Sequence, residues 1–246
     1  MSQRFATTRS QAGFTLVELA IVMIIIGLLI GGVLKGQELI GNAQVTATVA
    51  QLKAVEAATS TFKDTYAGIP GDLKGENSRL PSCTALPCMA GGNGDQKLNS
   101  TPDGTPDTEA TAFFPQLSVA NLMTGIVPGT NAWGGNFPAA KISANGIIPG
   151  SITTIATGLT GAVGTLGASS GLYLAVVSTV AGASATNVGL KPTEASRIDT
   201  KLDDGVPGSG SVLGIGGTTC GSATATGVYD TKTNNATCGL YVHIQG

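Results

Sequence analysis

From Phe14 to Leu34 the chain runs 21 residues, FTLVELAIVMIIIGLLIGGVL, in which Glu18 is the only charge. As an α-helix at ~1.5 Å per residue this stretch spans roughly 31 Å, enough for the ~30 Å hydrocarbon core of a bilayer. It is therefore a transmembrane candidate, and the order of its flanks sets it apart from an ordinary secretory signal. The leader Met1–Gly13 carries Arg4 and Arg9 and no acid, and its small residue, Gly13, lies before the apolar run. A secretory signal places a small-residue cleavage site after an apolar segment of about 7–15 residues. Here the sequence after Leu34 reads KGQELIG, without an Ala-x-Ala-like site. Cleavage after Gly13 would leave the helix as a new N-terminus; the plainer reading is a single-pass anchor with an incidental Glu18.

A charge within a bilayer costs at least ~2–3 kcal/mol near the centre and is rarely kept without a partner. The next cation along the helix is Lys35, more than four turns beyond Glu18. A free amine on Phe14, one turn away, would be the nearest positive charge. The leader's arginines precede the span while Lys35 is followed promptly by Glu38. The positive-inside bias then keeps the leader cytoplasmic and exports everything after Leu34.

GFTLVELAIVMIIIGLL resembles the N-terminal signature of type IV pilins and type II secretion pseudopilins. The resemblance implies cleavage between Gly13 and Phe14 by a prepilin peptidase/methyltransferase, N-methylation of Phe14, and a role for Glu18 in pairing with a neighbouring subunit's N-terminal amine. It implies as partners copies of the chain, other pilins and an inner-membrane assembly platform. The expected localisation is the inner membrane, then a surface pilus, or a periplasmic pseudopilus. More thinly, GQELIGNAQVTATVAQLKAVEAA, YAGIPGDL, FFPQLSVANLMTG and RIDTKLDDGVPGSGSV are similar to prepilin-like proteins of Gram-negative bacteria.

The helix is expected to continue to about Tyr66. No proline occurs between Phe14 and Ile69, and alanines at 43, 47, 50, 54, 57 and 58 favour helix. An apolar stripe of Val45, Val49, Leu52, Val55, Phe62 and Tyr66 would face a globular domain, with Gln44, Gln51, Lys53 and Lys63 outward. Gly68, Pro70 and Gly71 mark the stop. Many type IV pilins have a proline a short way past the span, where this chain has Lys35. Gly27, Gly31, Gly32 and Gly36 read either as weak points in its place or as sites of close helix–helix approach. The expected organisation is a leader 1–13, a transmembrane or filament-core helix 14–34, its amphipathic continuation 35–68, and an exported head 69–246.

The head is sparse in charge (11%) and aromatics (4%) and contributes to a total of 36 glycines, which suits a β-rich or loop-rich exported domain. Net charge is −2, with no basic cluster of the kind that neutralises phosphates, so no nucleic-acid partner is expected. Residues 72–107 read as loop. Short helices are expected at Thr108–Thr124, interrupted near Pro115, and at Thr193–Asp204, where Asp199, Asp203 and Asp204 read as a solvated face. Strand candidates are Gly146–Ile148, Ser151–Ala156, Leu172–Val180, Val212–Ile215 and Leu240–Ile244. The fold class that follows is α+β: a long N-terminal helix, half transmembrane and half amphipathic, packed on an antiparallel sheet domain with long loops, as in pilins.

Export makes disulfides the expected state of Cys83, Cys88, Cys220 and Cys238. Of three pairings, that of sequence neighbours is preferred, with the crossed pairings open. The 220–238 loop resembles the C-terminal disulfide-bounded loop of type IV pilins. Asn93, Asp95, Asp103, Asp107 and Glu109 lie in a glycine-rich loop of the kind Ca²⁺ uses, though without EF-hand spacing. The other reading is that these side chains serve turns and cap the next helix. No other cofactor is expected. Catalytic constellations are missing: the single histidine, His243, sits in an alternating strand pattern, and no nucleophile elbow or phosphate loop is visible. A structural subunit is the reading that remains. By the resemblance, length and the C-terminal cysteine pair favour a pilin over a compact pseudopilin. From a different class, the alternative is a membrane-tethered binding domain that never polymerises.

Overall fold

The computed structural model describes residues 13–75, 79–153, 159, 162–164, 168–181, 187–222, 224 and 226–244. The arginines of the leader and the end of the strand expected over Ser151–Ala156 lie outside these. The protein is α+β, with one long helix and a four-stranded antiparallel sheet. It divides into two compact units between Asn42 and Ala43.

Helix α1, Leu16–Tyr66, is continuous for 51 residues. Thr15, not Phe14, is the residue before its first turn. As far as Leu34 it is apolar apart from Glu18 and exposed on every side; nothing lies within 4 Å of a Cβ built on Gly27, Gly31, Gly32 or Gly36. In the second unit one face is buried: Val45, Thr48, Leu52, Val55, Ala58, Thr59 and Phe62. Two threonines belong to a core face because their hydroxyls turn back to the helix: Thr48 Oγ1 donates to Gln44 O at 2.9 Å and Thr59 Oγ1 to Val55 O at 2.8 Å. Gln51 is not outward-facing as its place on the helix suggests; it is half-buried and donates through Nε2 to Ala139 O at 2.9 Å. The helix ends on a left-handed residue, Ala67 (φ 48°), whose N–H reaches Lys63 O at 2.8 Å.

Helix α2, Thr108–Val119, runs through Pro115 without a break. The expected interruption does not occur. Phe113, Phe114 and Leu117 flank the proline and are fully buried. Burial at ~1.5–3 kcal/mol each outweighs the ~3 kcal/mol of a helical proline. The helix stops before Thr124 because Asn121 is left-handed (φ 58°), with Asn121 N–H to Ser118 O and Leu122 N–H to Leu117 O both at 3.0 Å. This is a Schellman ending. Helix α3, Pro192–Leu202, starts with proline in its first turn, and Glu194 accepts from Lys191 N at 3.0 Å.

The strands are β1 Gly146–Ile152, β2 Gly171–Val177, β3 Val212–Ile215 and β4 Gly239–Ile244. Their order is β1-β2-β4-β3. Gly146 faces Val177, Leu172 faces Ile244 and Val212 faces Val242. Nearly every strand residue is buried, so both faces are covered. The two segments expected on either side of Pro149 are one strand. β1 is an edge, and its outward N–H groups at Ile147 and Ser151 go to Pro138 O and Ser100 O at 3.1 and 3.0 Å. Pro149 lies between them in the two-residue period, so its missing donor falls on the side away from β2. Trp133 packs against Gly146, where a Cβ would lie 2.0 Å from the indole ring.

Candidate assembly site

The bond between Gly13 and Phe14 lies in exposed, non-helical chain two residues before α1 begins, and Phe14 is 91% exposed. Helix α1 then opens with a reciprocal cap. Glu18 Oε2 accepts from Thr15 N and Thr15 Oγ1, both at 2.8 Å, while Glu18 N donates to Thr15 Oγ1 at 3.3 Å. Thr15 O accepts the first helical bond, from Leu19 N at 3.3 Å. T-L-V-E is thus a capping box, a four-residue pattern readable in the sequence. In a single chain it is Thr15 that satisfies Glu18. Beyond it, the helix is long and apolar enough to cross a membrane, with a mean hydropathy of 2.7 over its most apolar window and none of that window buried.

Cys83 bonds to Cys88 and Cys220 to Cys238, with Cα–Cα separations of 5.6 and 4.9 Å. The short loop is fastened to α2 by Gln116, which donates through Nε2 to Cys88 O at 3.1 Å and accepts through Oε1 from Gly71 N at 2.7 Å.

The acids of the 93–109 loop are used separately. Asp95 Oδ1 accepts from Lys97 N at 3.0 Å, Asp107 Oδ1 caps α2 through Ala110 N at 2.9 Å, and Glu109 Oε2 accepts from Asn99 N at 2.8 Å. Asp103 lies near enough to Tyr241 to help raise the pKa of that buried phenol. Asp95, Asp103 and Asp107 form no cluster of three ligand oxygens within metal reach; among the described residues only Asp199, Asp203 and Asp204 do. The organiser of the loop is a residue the sequence did not single out: buried Asp72 accepts from Gly94 N and Gln96 N, each at 2.6 Å.

The face expected to be solvated on α3 is only partly so. Asp203 and Asp204 are exposed, but Asp199 is fully buried and accepts from Tyr229 Oη at 2.7 Å and Gly205 N at 3.2 Å. It faces inward because it shares the helix face of Ala195 and Ile198, and Tyr229 from the 220–238 loop meets it there. Asp203 accepts from Ser211 N and from Val212 N, and Asp204 accepts from Val206 N at 2.8 Å and Ser209 Oγ at 2.7 Å. All three carboxylates are therefore engaged by the chain. His243 is a β4 residue, its ring 4.8 Å from that of Tyr173 and Nε2 3.5 Å from Ser169 Oγ.

These features describe a chain with an exposed apolar helix near its N-terminus and a disulfide-fastened α+β head. Residues 8–34 match the prokaryotic N-terminal methylation motif, the signature of type IV pilins and pseudopilins, so this N-terminal stretch is pilin- or pseudopilin-like. No curated protein and no solved structure matches it. The signature points to a structural subunit rather than an enzyme.

Proposed function

We propose that this protein is a structural subunit of a type IV pilus. It is held in the inner membrane by α1 with its leader in the cytoplasm, cleaved after Gly13, methylated at Phe14 and assembled by packing of α1 against other copies. The observation that carries this reading is a continuous helix whose first half is apolar and exposed all round, beneath a methylation motif. Lipid tails are as apolar as leucine, so the passage from bilayer to filament gains little from hydrophobic burial. Helix packing and neutralisation of Glu18 drive it instead. On joining the filament, Glu18 exchanges the neutral donors of Thr15 for the N-terminal amine of a neighbour, a contact in which both partners are charged. The C-terminal disulfide loop supports a surface pilin over a periplasmic pseudopilin.

Glu18→Ala is expected to leave membrane insertion intact and to abolish recovery of the subunit in filaments sheared from cells. Normal incorporation of that variant would overturn the pairing. Sequencing of the mature N-terminus should give methyl-phenylalanine. A mature chain that still begins at Met1 and is missing from every sheared fraction would replace this reading with a tethered module.

A further inference from the structure

At one end of the sheet, where β1 and β4 finish and β2 begins, lies a cavity of about 520 Å³. Lys63 from the end of α1, Lys97 from the loop held by Asp72, and His243 from β4 all line it, and no Asp or Glu is among the described residues that do. Over the whole chain acids outnumber Lys and Arg by 15 to 13, so this is a local concentration of one sign. Ser151, Thr153 and Ser170 add hydroxyls, and Ile69, Ile152 and Leu172 an apolar wall.

The lining is held in place. The Gln96 N–H is fixed by buried Asp72 at 2.6 Å, and the Lys97 N–H by Asp95 at 3.0 Å. Gly171, at φ +151°, leaves room for the His243 ring; a Cβ there would lie 2.5 Å from Nε2. Burial lowers the pKa of His243, opposed by the carboxylate of Glu56, so the ring offers hydrogen bonds rather than charge at neutral pH. Glu56 itself is engaged by Lys53 at 3.0 Å.

We propose that this cavity binds a small hydroxylated carboxylate of the sugar-acid class, its carboxylate toward Lys63 and Lys97 and its hydroxyls toward Ser151, Thr153, Ser170 and His243. The volume is in the range of small-molecule sites, a few hundred Å³ and upward. Phosphate sites commonly add to their lysines backbone N–H groups at a helix N-terminus or planar guanidinium forks, and neither is among the described residues that line this cavity. Two lysines, several hydroxyls and a greasy wall suit instead a carbon skeleton with one charge. This inference goes beyond the filament reading and does not rest on it.

The test is calorimetric titration of the mature, detergent-solubilised full chain with D-glucuronate, D-glucose and inorganic phosphate. Glucuronate should bind at least tenfold more tightly than either of the others. The Lys63→Gln/Lys97→Gln pair should weaken it at least tenfold, while Lys232→Gln, which removes a charge elsewhere, should not. Ser170→Trp, at an exposed rim position, should block binding with all charges retained, and it serves if the lysine pair fails to fold. Phosphate binding as tight as glucuronate, no glucuronate binding, or binding unchanged in the pair or in Ser170→Trp would overturn the proposal.

Discussion

The buried carboxyl of Asp199 makes the stability of this domain depend on pH. Burial lifts its pKa from 3.8 to about 7, against the hydrogen bonds from Tyr229 and Gly205, and Asp204 and Asp203 push it the same way as burial. A carboxyl with a raised folded pKa keeps its proton where the unfolded chain has lost it. Its contribution is therefore fully present below about pH 4 and is lost as pH rises toward 7. Glu109, also raised chiefly by burial, acts in the same sense, and the lowered pKa of His243 acts in the opposite one. The comparison that isolates Asp199 is wild type against Asp199→Asn. The amide is neutral at every pH and still accepts from Tyr229. The difference in melting temperature, variant minus wild type, should be a few degrees larger at pH 8 than at pH 5. An equal difference at both would mean that the carboxyl is not the titrating group.

Among the elements, the two disulfides differ in what they constrain. Cys83 and Cys88 are separated by 5 residues and Cys220 and Cys238 by 18. The loop-closure relation gives about 2 kcal/mol for the shorter and about 3 kcal/mol for the longer. Replacing Cys220 and Cys238 together by alanine should thus lower the urea-unfolding free energy by about 1 kcal/mol more than replacing Cys83 and Cys88. The longer loop also carries Tyr229, so its loss should flatten the pH response of Asp199 as well. Much at this scale was legible beforehand: α1 from its unbroken run without proline, β3 from VLGI, and the start of α3 from Pro192. What was not legible had tertiary causes. Pro149 cannot announce that its missing N–H faces away from its only strand neighbour. Pro115 cannot announce that Phe113 and Phe114 before it and Leu117 after it are buried and hold its helix together. Thr48 and Thr59 read as polar until their hydroxyls close on their own helix. Asp199 read as solvated because Tyr229, 30 residues on, is invisible to helical periodicity. The capping box of Thr15 and Glu18, by contrast, stood in four consecutive letters.

For the whole molecule, the division between Asn42 and Ala43 separates two kinds of solubility. The first unit exposes Leu16, Val17, Leu28 and Leu34 at 62–85% of their surfaces, with neighbours of the same kind between them. An apolar surface of that extent needs lipid, detergent or other copies to cover it. The second unit holds every buried residue of the core, from Val45 to Ile244. A chain beginning at Lys35 keeps more than two turns of helix ahead of Val45 and leaves Leu39 and Ile40 as the large exposed hydrophobics of that stretch. The Lys35–Glu38 pair, 2.7 Å apart, helps hold the new first turns, though at an exposed site it adds at most ~1 kcal/mol. Such a chain should therefore stay dissolved and monomeric without detergent in sedimentation-velocity runs, form both disulfides, and melt cooperatively. The full mature chain should require detergent to stay dissolved and monomeric. If the shortened chain aggregated or failed to melt cooperatively, the head would depend on the apolar half of α1 for its own stability. Assembly through that half would then have to disturb the head as well.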